Sequence, residues 1–260
     1  VRERLKSVVR RLLRRAWRLS ARVGRRPGPL PGGQRIEVVI LSYARPWNID
    51  PLVRTVLRCG FVDRVVLSNN NPDIPTSSFL RVRDPRLVVI DQPDHTGPGV
   101  RFELAREHLA DLDGALLIDD DWLLWPSQIR RLVEHLFAAP EVPHGLSGRL
   151  GDIGLLRVDS EADVLFGVYA VTGTHLDRYV ELYDALPQAA RDLVDRGGED
   201  IVISMTGDRR AIVHDVGYIL FCASVNRAGV AISARPDFVT SRKVIREQLD
   251  LLGGALPWRP

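Results

Sequence analysis

The sequence predicts an α/β layer fold with a largely parallel central sheet. Two observations carry this prediction. Short apolar, β-branched runs at 35–42, 64–68, 86–91 and 114–118 alternate with helical patterns at 49–59, 100–112 and 126–137. The connections between them are short, and strands that alternate with helices in this way pair in parallel through crossover helices. The 260 residues, 45% of them apolar and 27% charged, are enough to bury a sizeable core.

The run 35–42 is nearly continuous in apolar residues, as expected of a strand covered on both faces. Residues 49–59 place Ile49, Leu52, Val53, Val56 and Leu57 on one helical side. The second strand ends in Asn69, Asn70 and Asn71, and the fourth in Asp119, Asp120 and Asp121. Beyond about residue 140 the pattern is less regular. It predicts strands near 145–148 and 163–171, and helices near 174–184, 187–195, 199–206 and 240–251.

Charge divides the chain. Residues 1–26 hold ten arginines and one lysine against one acid, a net of +10. The remainder, with 25 basic and 32 acidic residues, carries −7, which argues against a nucleic-acid-binding body. On a helical wheel Leu5, Val8, Val9, Leu12, Ala16, Leu19 and Val23 share one face, flanked by Leu13 and Trp17. Arg4, Arg11, Arg14, Arg15, Arg18, Arg22 and Arg25 occupy the opposite face. Such a cationic amphipathic helix suits an anionic membrane surface. Docking on the acidic body or on a second subunit, or contact with nucleic acid, fits the same pattern. The Pro- and Gly-rich stretch 27–33 reads as a linker, so the predicted organisation is a basic helix (1–26), a linker (27–33) and one domain (34–260).

Two cysteines, Cys59 and Cys222, point to a reducing compartment. The basic N-terminus lacks the continuous apolar stretch of a secretory leader, and no run is long enough to span a bilayer. The expected location is therefore cytoplasmic, peripheral on the inner face of a membrane.

Ligands of open α/β sheets bind beyond the carboxyl ends of the strands. This selects Ser42, Tyr43 and Arg45, then Asn69, Asn70 and Asn71, and then Asp119, Asp120 and Asp121. Three successive carboxylates repel one another, and no basic residue close in sequence relieves them. A divalent cation would, and oxygen ligands favour Mg²⁺ or Mn²⁺. A solvated acidic turn or a helix cap is the plain alternative. Glu199 and Asp200 open a predicted helix, either as caps or as carboxylates at a reacting centre. Arg101 follows a glycine-bearing turn at a helix start, where an anion can be held. His214 is either a metal ligand or a satisfied core histidine. Dinucleotide, P-loop, zinc-protease, Cys-x-x-Cys and serine-elbow motifs are absent.

Taken in order, these segments resemble nucleotide-sugar glycosyltransferases of the GT-A fold, and within them the exostosin-type (heparan-sulfate) catalytic domain. The likeness runs over about residues 36–206 and continues faintly to 250. Residues 38–46 resemble the family's first strand and nucleotide loop, and Asn69–Asn71 its base-contacting segment. Residues 100–102 resemble its "NRF" element, 117–121 its metal motif and 145–149 its "GFxPR". Residues 171–183 and 198–204 resemble two further family motifs. The resemblance implies that Arg101 contacts the diphosphate, that Asp121 ligates Mn²⁺ or Mg²⁺, and that Asp119 and Asp120 lie by the ribose and sugar. It makes Asp200 the catalytic carboxylate, beside Glu199, and implies retention of anomeric configuration. Gly173 and Thr174 stand where the family has Phe-Phe, and Gly198 where it has cysteine. The region after 232 matches poorly, with Arg235 and Arg242 as plausible diphosphate ligands.

The expected function is metal-dependent transfer of a sugar, from a UDP-linked or similar nucleotide donor to a carbohydrate or lipid-linked hydroxyl. Three alternatives remain: an inverting enzyme of the same fold, a sugar-phosphate nucleotidyltransferase, or a non-catalytic membrane-surface scaffold.

Overall fold

The computed structural model describes residues 2–24, 26–109, 111–151, 153–225 and 235–253, with side chains described from residue 7 in the first helix. The wheel positions Leu5, Arg4 and Arg25 therefore lie outside the described side chains.

The chain runs α1 (Arg2–Val23), β1 (Ile36–Ser42), α2 (Pro46–Leu57), β2 (Val62–Asn69), β3 (Leu87–Asp91), α3 (Val100–His108), β4 (Gly114–Asp119), β5 (Trp122–Leu123) and α4 (Pro126–Ala138). There follow β6 (His144–Gly145), β7 (Gly148–Leu150), β8 (Ile153–Leu156), β9 (Ser160–Ala162), β10 (Val164–Leu165) and β11 (Val168–Val171). The last elements are α5 (Gly173–Ala185), α6 (Gln188–Asp195), α7 (Glu199–Ser204), β12 (Ala211–Val213), β13 (Leu220–Phe221) and α8 (Phe238–Gly253).

Eight strands form the main sheet in the order β3-β2-β1-β4-β11-β6-β12-β9. The first four are parallel, β11 runs antiparallel to β4 and β6, and β12 returns parallel to β6. The predicted α/β class with a mostly parallel sheet is what the chain adopts. Alternation along β1 explains its unbroken apolar run. Ile36, Val38 and Ile40 join the core packed by α1, α2 and α4, while Val39 joins the opposite core with Phe102, Leu117 and Tyr169. At the sheet edge, β3 is covered less, and Val88 and Val89 are exposed.

The irregular half differs from the expected strands for a backbone reason. The stretch 163–171 is two strands in different sheets, because the chain turns at Gly167, where φ is +70°. A side chain there would also collide with the Trp122 indole. Likewise 145–148 divides between β6 in the main sheet and β7 in a three-stranded sheet, β10-β7-β8. The helix expected over 100–112 ends at His108.

Helix α1 lies on the body, with Trp17 fully buried and its Nε1–H donating to the Leu124 carbonyl at 2.8 Å. The Pro/Gly stretch is itself packed: Leu30 is buried, and the Pro27 carbonyl accepts the Gly60 N–H at 2.9 Å.

Candidate active site

The carboxyl ends of β1 and β4 open into a cleft of about 1230 Å³. Because side chains alternate across β4, Asp119 follows Leu117 onto the α3 face, and Asp120 falls on the other side, toward the start of α2. Arg101 enters from the first turn of α3. The turn before it depends on Gly97, at φ +81°, where a side chain would run into the Asp195 carbonyl. Glu199 and Asp200 enter from the first turn of α7, and Arg242 from α8.

Each carboxylate meets a guanidinium. Arg45 Nη1 lies 2.6 Å from Asp120 Oδ1, and its Nη2 lies 3.3 Å from Asp121 Oδ2. The Tyr43 N–H donates to Asp120 Oδ2 at 3.2 Å, and Asn48 Nδ2 donates to the Asp120 carbonyl at 2.9 Å. Arg101 binds Asp119 through Nη1 and Glu199 Oε1 through Nη2, the latter at 3.0 Å. Its Nε–H donates to the Pro98 carbonyl, and its guanidinium stacks against the Tyr169 ring at 5.4 Å. Arg242 Nη1 lies 2.7 Å from Asp200 Oδ1, and the same guanidinium lies over the rings of Phe166 and Phe238.

In these contacts five carboxylates meet three guanidiniums, a local crowding of acids within a cleft whose lining holds seven acidic and seven arginine side chains. Burial, then the Asp119 charge beside it, pushes the Asp121 carboxyl up to about 7 despite Arg45. Burial raises Glu199 to about 7 as well, with Arg101 opposing and Asp200 adding to the rise. Asp121 Oδ1 and Glu199 Oε2 are buried with no hydrogen-bond partner. An unpartnered buried carboxylate oxygen among crowded acids is the donor a hard divalent cation takes. Among the described residues no three His, Cys, Asp or Glu side chains converge on one point. A metal at the unpartnered Asp121 Oδ1 would be held by one or two carboxylates and completed by substrate phosphates, the usual manner of Mg²⁺.

No family model and no curated protein matches the chain. Solved structures do. S. aureus TarS 1–349 in complex with UDP-GlcNAc superposes with a TM-score of 0.55 at 14% identity, over 83% of this chain and 66% of that one. The fold is GT-A-like. The same TarS fragment without the nucleotide sugar gives a TM-score of 0.48 at 11% identity, over 72% of this chain and 59% of that one. A CMP:2-keto-3-deoxy-manno-octonic acid synthetase complexed with CTP gives 0.48 at 12% identity, over 82% and 99%. The chain thus spans about two thirds or less of the length of the TarS structures it matches.

Within this GT-A-like frame, nine of the residues singled out from sequence line one cleft: Tyr43, Arg45, Asn70, Arg101, Asp119, Asp120, Asp121, Glu199 and Asp200. Arg235 and Arg242 join them. Four others do not. Ser42 is buried at the strand end. Asn69 spends its amide on the Asn71 and Ile74 carbonyls and on Asp91, holding the loop in shape. Asn71 binds the Tyr43 carbonyl and the Asp73 N–H. His214 is the clearest correction. It lies outside the cleft, with Nε2 2.7 Å from His144 Nδ1 and Nδ1 3.5 Å from Asp159, and it stacks on His135. Both ring nitrogens are occupied there, so it is a satisfied packing histidine and not a partner of the aspartates. No basic residue close in sequence relieves the aspartates, but tertiary contacts do. Arg45 and Arg101, remote in sequence, supply them.

Sequence reading missed the cleft's aromatic wall. Trp122, Phe166, Tyr169, Phe221 and Phe238 line it together with His95. An aromatic that ends an apolar run reads as core until the strand pairing is known.

Proposed function

We propose that this chain is a metal-dependent glycosyltransferase, moving a sugar from a nucleoside-diphosphate donor to an acceptor hydroxyl. The observation that carries the reading is the crowding of acids at the carboxyl end of β4, with the unpartnered Asp121 Oδ1 at its centre. The GT-A-like fold, shared with a structure that holds UDP-GlcNAc, supports a nucleotide-sugar donor. Mn²⁺ or Mg²⁺, when bound, would neutralise charge on the departing diphosphate.

In this reading Asp121 holds the metal, and Arg45 fixes the direction of Asp120 and Asp121. Arg101 is too enclosed, at 3% exposure, to be first of all a substrate ligand. It clamps Asp119 through Nη1 and Glu199 through Nη2, holding β4 and α7 together at the cleft floor. Tyr43 and His95, whose ring centroids lie 4.7 Å apart at the cleft edge, offer aromatic surface to a nucleobase. Asp200, fixed by Arg242, lies by the anomeric carbon, where a carboxylate stabilises developing positive charge. The residues that resemble exostosin-type enzymes favour retention of configuration. The acceptor is a carbohydrate or a lipid-linked sugar.

Titration calorimetry of UDP and then GDP, with and without Mn²⁺, tests the donor site. One nucleotide binds only with metal, and Asp121→Asn loses that binding. Turnover of the matching nucleotide sugars, beginning with UDP-GlcNAc, releases a nucleoside diphosphate. Release of pyrophosphate identifies a nucleotidyltransferase instead, and absence of any nucleotide binding overturns the reading.

A further inference from the structure

Helix α1 carries two apolar stripes, and the fold uses only one. At about 100° per residue, Leu13, Trp17 and Ala21 form the stripe that docks on the body. The second stripe holds Val8, Val9, Leu12, Ala16, Leu19 and Val23, and all six are exposed. Leu12 is 57% exposed, Leu19 61% and Val23 73%. Arg11, Arg15, Arg18 and Arg22, expected on the opposite face, instead border this stripe on one side, and all four are exposed. The face opposite is the one that Leu13, Trp17 and Ala21 dock on the body.

The arginines are the discriminating feature. The rest of the chain carries −7, so a helix built to pack on it would pair its cations with body carboxylates. None of the described arginines of α1 does so. Arg14 donates to a backbone carbonyl, that of Phe221, at 2.9 Å, and Arg10, Arg11, Arg15, Arg18 and Arg22 make no ion pair. An apolar stripe bordered by unpaired guanidiniums is complementary to acyl chains beneath anionic headgroups. No helix among the described residues is long and apolar enough to cross a membrane, so contact through α1 would be in the plane of the surface.

We propose that α1 binds an anionic lipid surface through its exposed stripe while its other stripe stays docked, so that the cleft is held at a fixed attitude to that surface. The connection is short. Trp17 and Arg14 hold the backbone of Leu124 and Phe221, next to β5 and in β13. Phe221 and Trp122, paired in these strands, form part of the cleft wall. The helix therefore acts as a rigid mount and not as a tethered anchor.

The test is co-sedimentation of the full chain with phosphatidylglycerol vesicles and with phosphatidylcholine vesicles, without nucleotide, so that it is independent of the enzymatic reading. The chain sediments with the anionic vesicles only. Leu12→Glu/Leu19→Glu lowers that binding more than about ten-fold, and the milder Leu12→Ser/Leu19→Ser lowers it in the same direction. Replacing Arg15, Arg18 and Arg22 by glutamine costs about five-fold per charge. Leu251→Glu, at an apolar residue of α8 that is 77% exposed, leaves it unchanged. Equal binding of the stripe variants, absence of binding, or a lipid-free dimer dispersed by Leu12→Glu/Leu19→Glu overturns the proposal, the last in favour of a second copy of this chain.

Discussion

Arg45 and Asp120, 75 positions apart in the chain, meet at 2.6 Å in a contact that is almost wholly removed from solvent. This pair joins the loop after β1 to the loop after β4 and so fixes the floor of the cleft. Removing one partner of a buried ion pair leaves the other charged and desolvated. Arg45→Gln is expected to lower stability by about 3–5 kcal/mol, read from the urea midpoint, with partial recovery in Arg45→Lys. An unchanged midpoint in Arg45→Gln would mean that Asp120 is solvated.

Asp200→Asn is expected to reduce turnover at least about a hundred-fold while leaving metal-dependent nucleotide affinity within about three-fold. The two readouts separate a residue at the reacting carbon from one that holds the donor. Turnover near the native level removes Asp200 from the mechanism.

Glu37 gives the stability a pH dependence. It is fully buried in β1, neither carboxylate oxygen has a hydrogen-bond partner, and Arg64 stands off at 3.7 Å. Burial raises it from 4.5 to about 8, against the pull of Arg64. The folded state therefore keeps a proton that the unfolded state has released, and stability falls as pH rises from about 4.5 to 8. Glu37→Gln mimics the neutral acid and is expected to exceed the native protein at pH 8 by on the order of 2–5 kcal/mol, with no gain at pH 4.5. Parallel stability–pH curves for the two proteins would refute this.

His214 works in the opposite direction. Burial, then the neighbouring His135 and His144, lowers it from 6.5 to about 4, with Asp159 opposing. The unfolded chain binds this proton first, so stability is intact above pH 6.5 and is lost as pH falls toward 4. His214→Gln is expected to flatten that acid limb by about 2–3 kcal/mol in denaturant melts between pH 7 and 4. An equally steep limb in the variant assigns the loss to other groups.

Trp17→Ala is expected to free α1 from the body. It removes a fully buried indole and its 2.8 Å bond to the Leu124 carbonyl. A loss of about 3–5 kcal/mol is the usual scale for such a truncation. Amide exchange over residues 2–23 should rise by orders of magnitude. Retained protection would show that Leu13 and Ala21 suffice.

The first half of the fold was legible because three of its strands are buried on both faces, while the edge strand β3 is only partly covered. β1, β2 and β4 are apolar runs ended by polar clusters, and a parallel sheet puts those ends on one rim. That rule alone assembled Tyr43, Asn70 and the three aspartates. It could not show that Asn69 and Asn71 hold their own loop, since an asparagine's role depends on which carbonyls the turn brings to its amide. Nor could it separate His214 from the aspartates. The short strands β6 to β12 hold two to four residues each, too few for a period, and Gly167 divides what reads as one run.

The sequence by itself determined the α/β class, the rim on which the acids gather and the double character of the basic helix, because each is written in local periodicity and charge. Tertiary structure alone decided which arginine faces which carboxylate, which aromatic residues wall the cleft and which stripe of α1 is left to solvent. Those outcomes follow from contacts between residues distant in the chain, whose energies depend on burial and distance that no local pattern records.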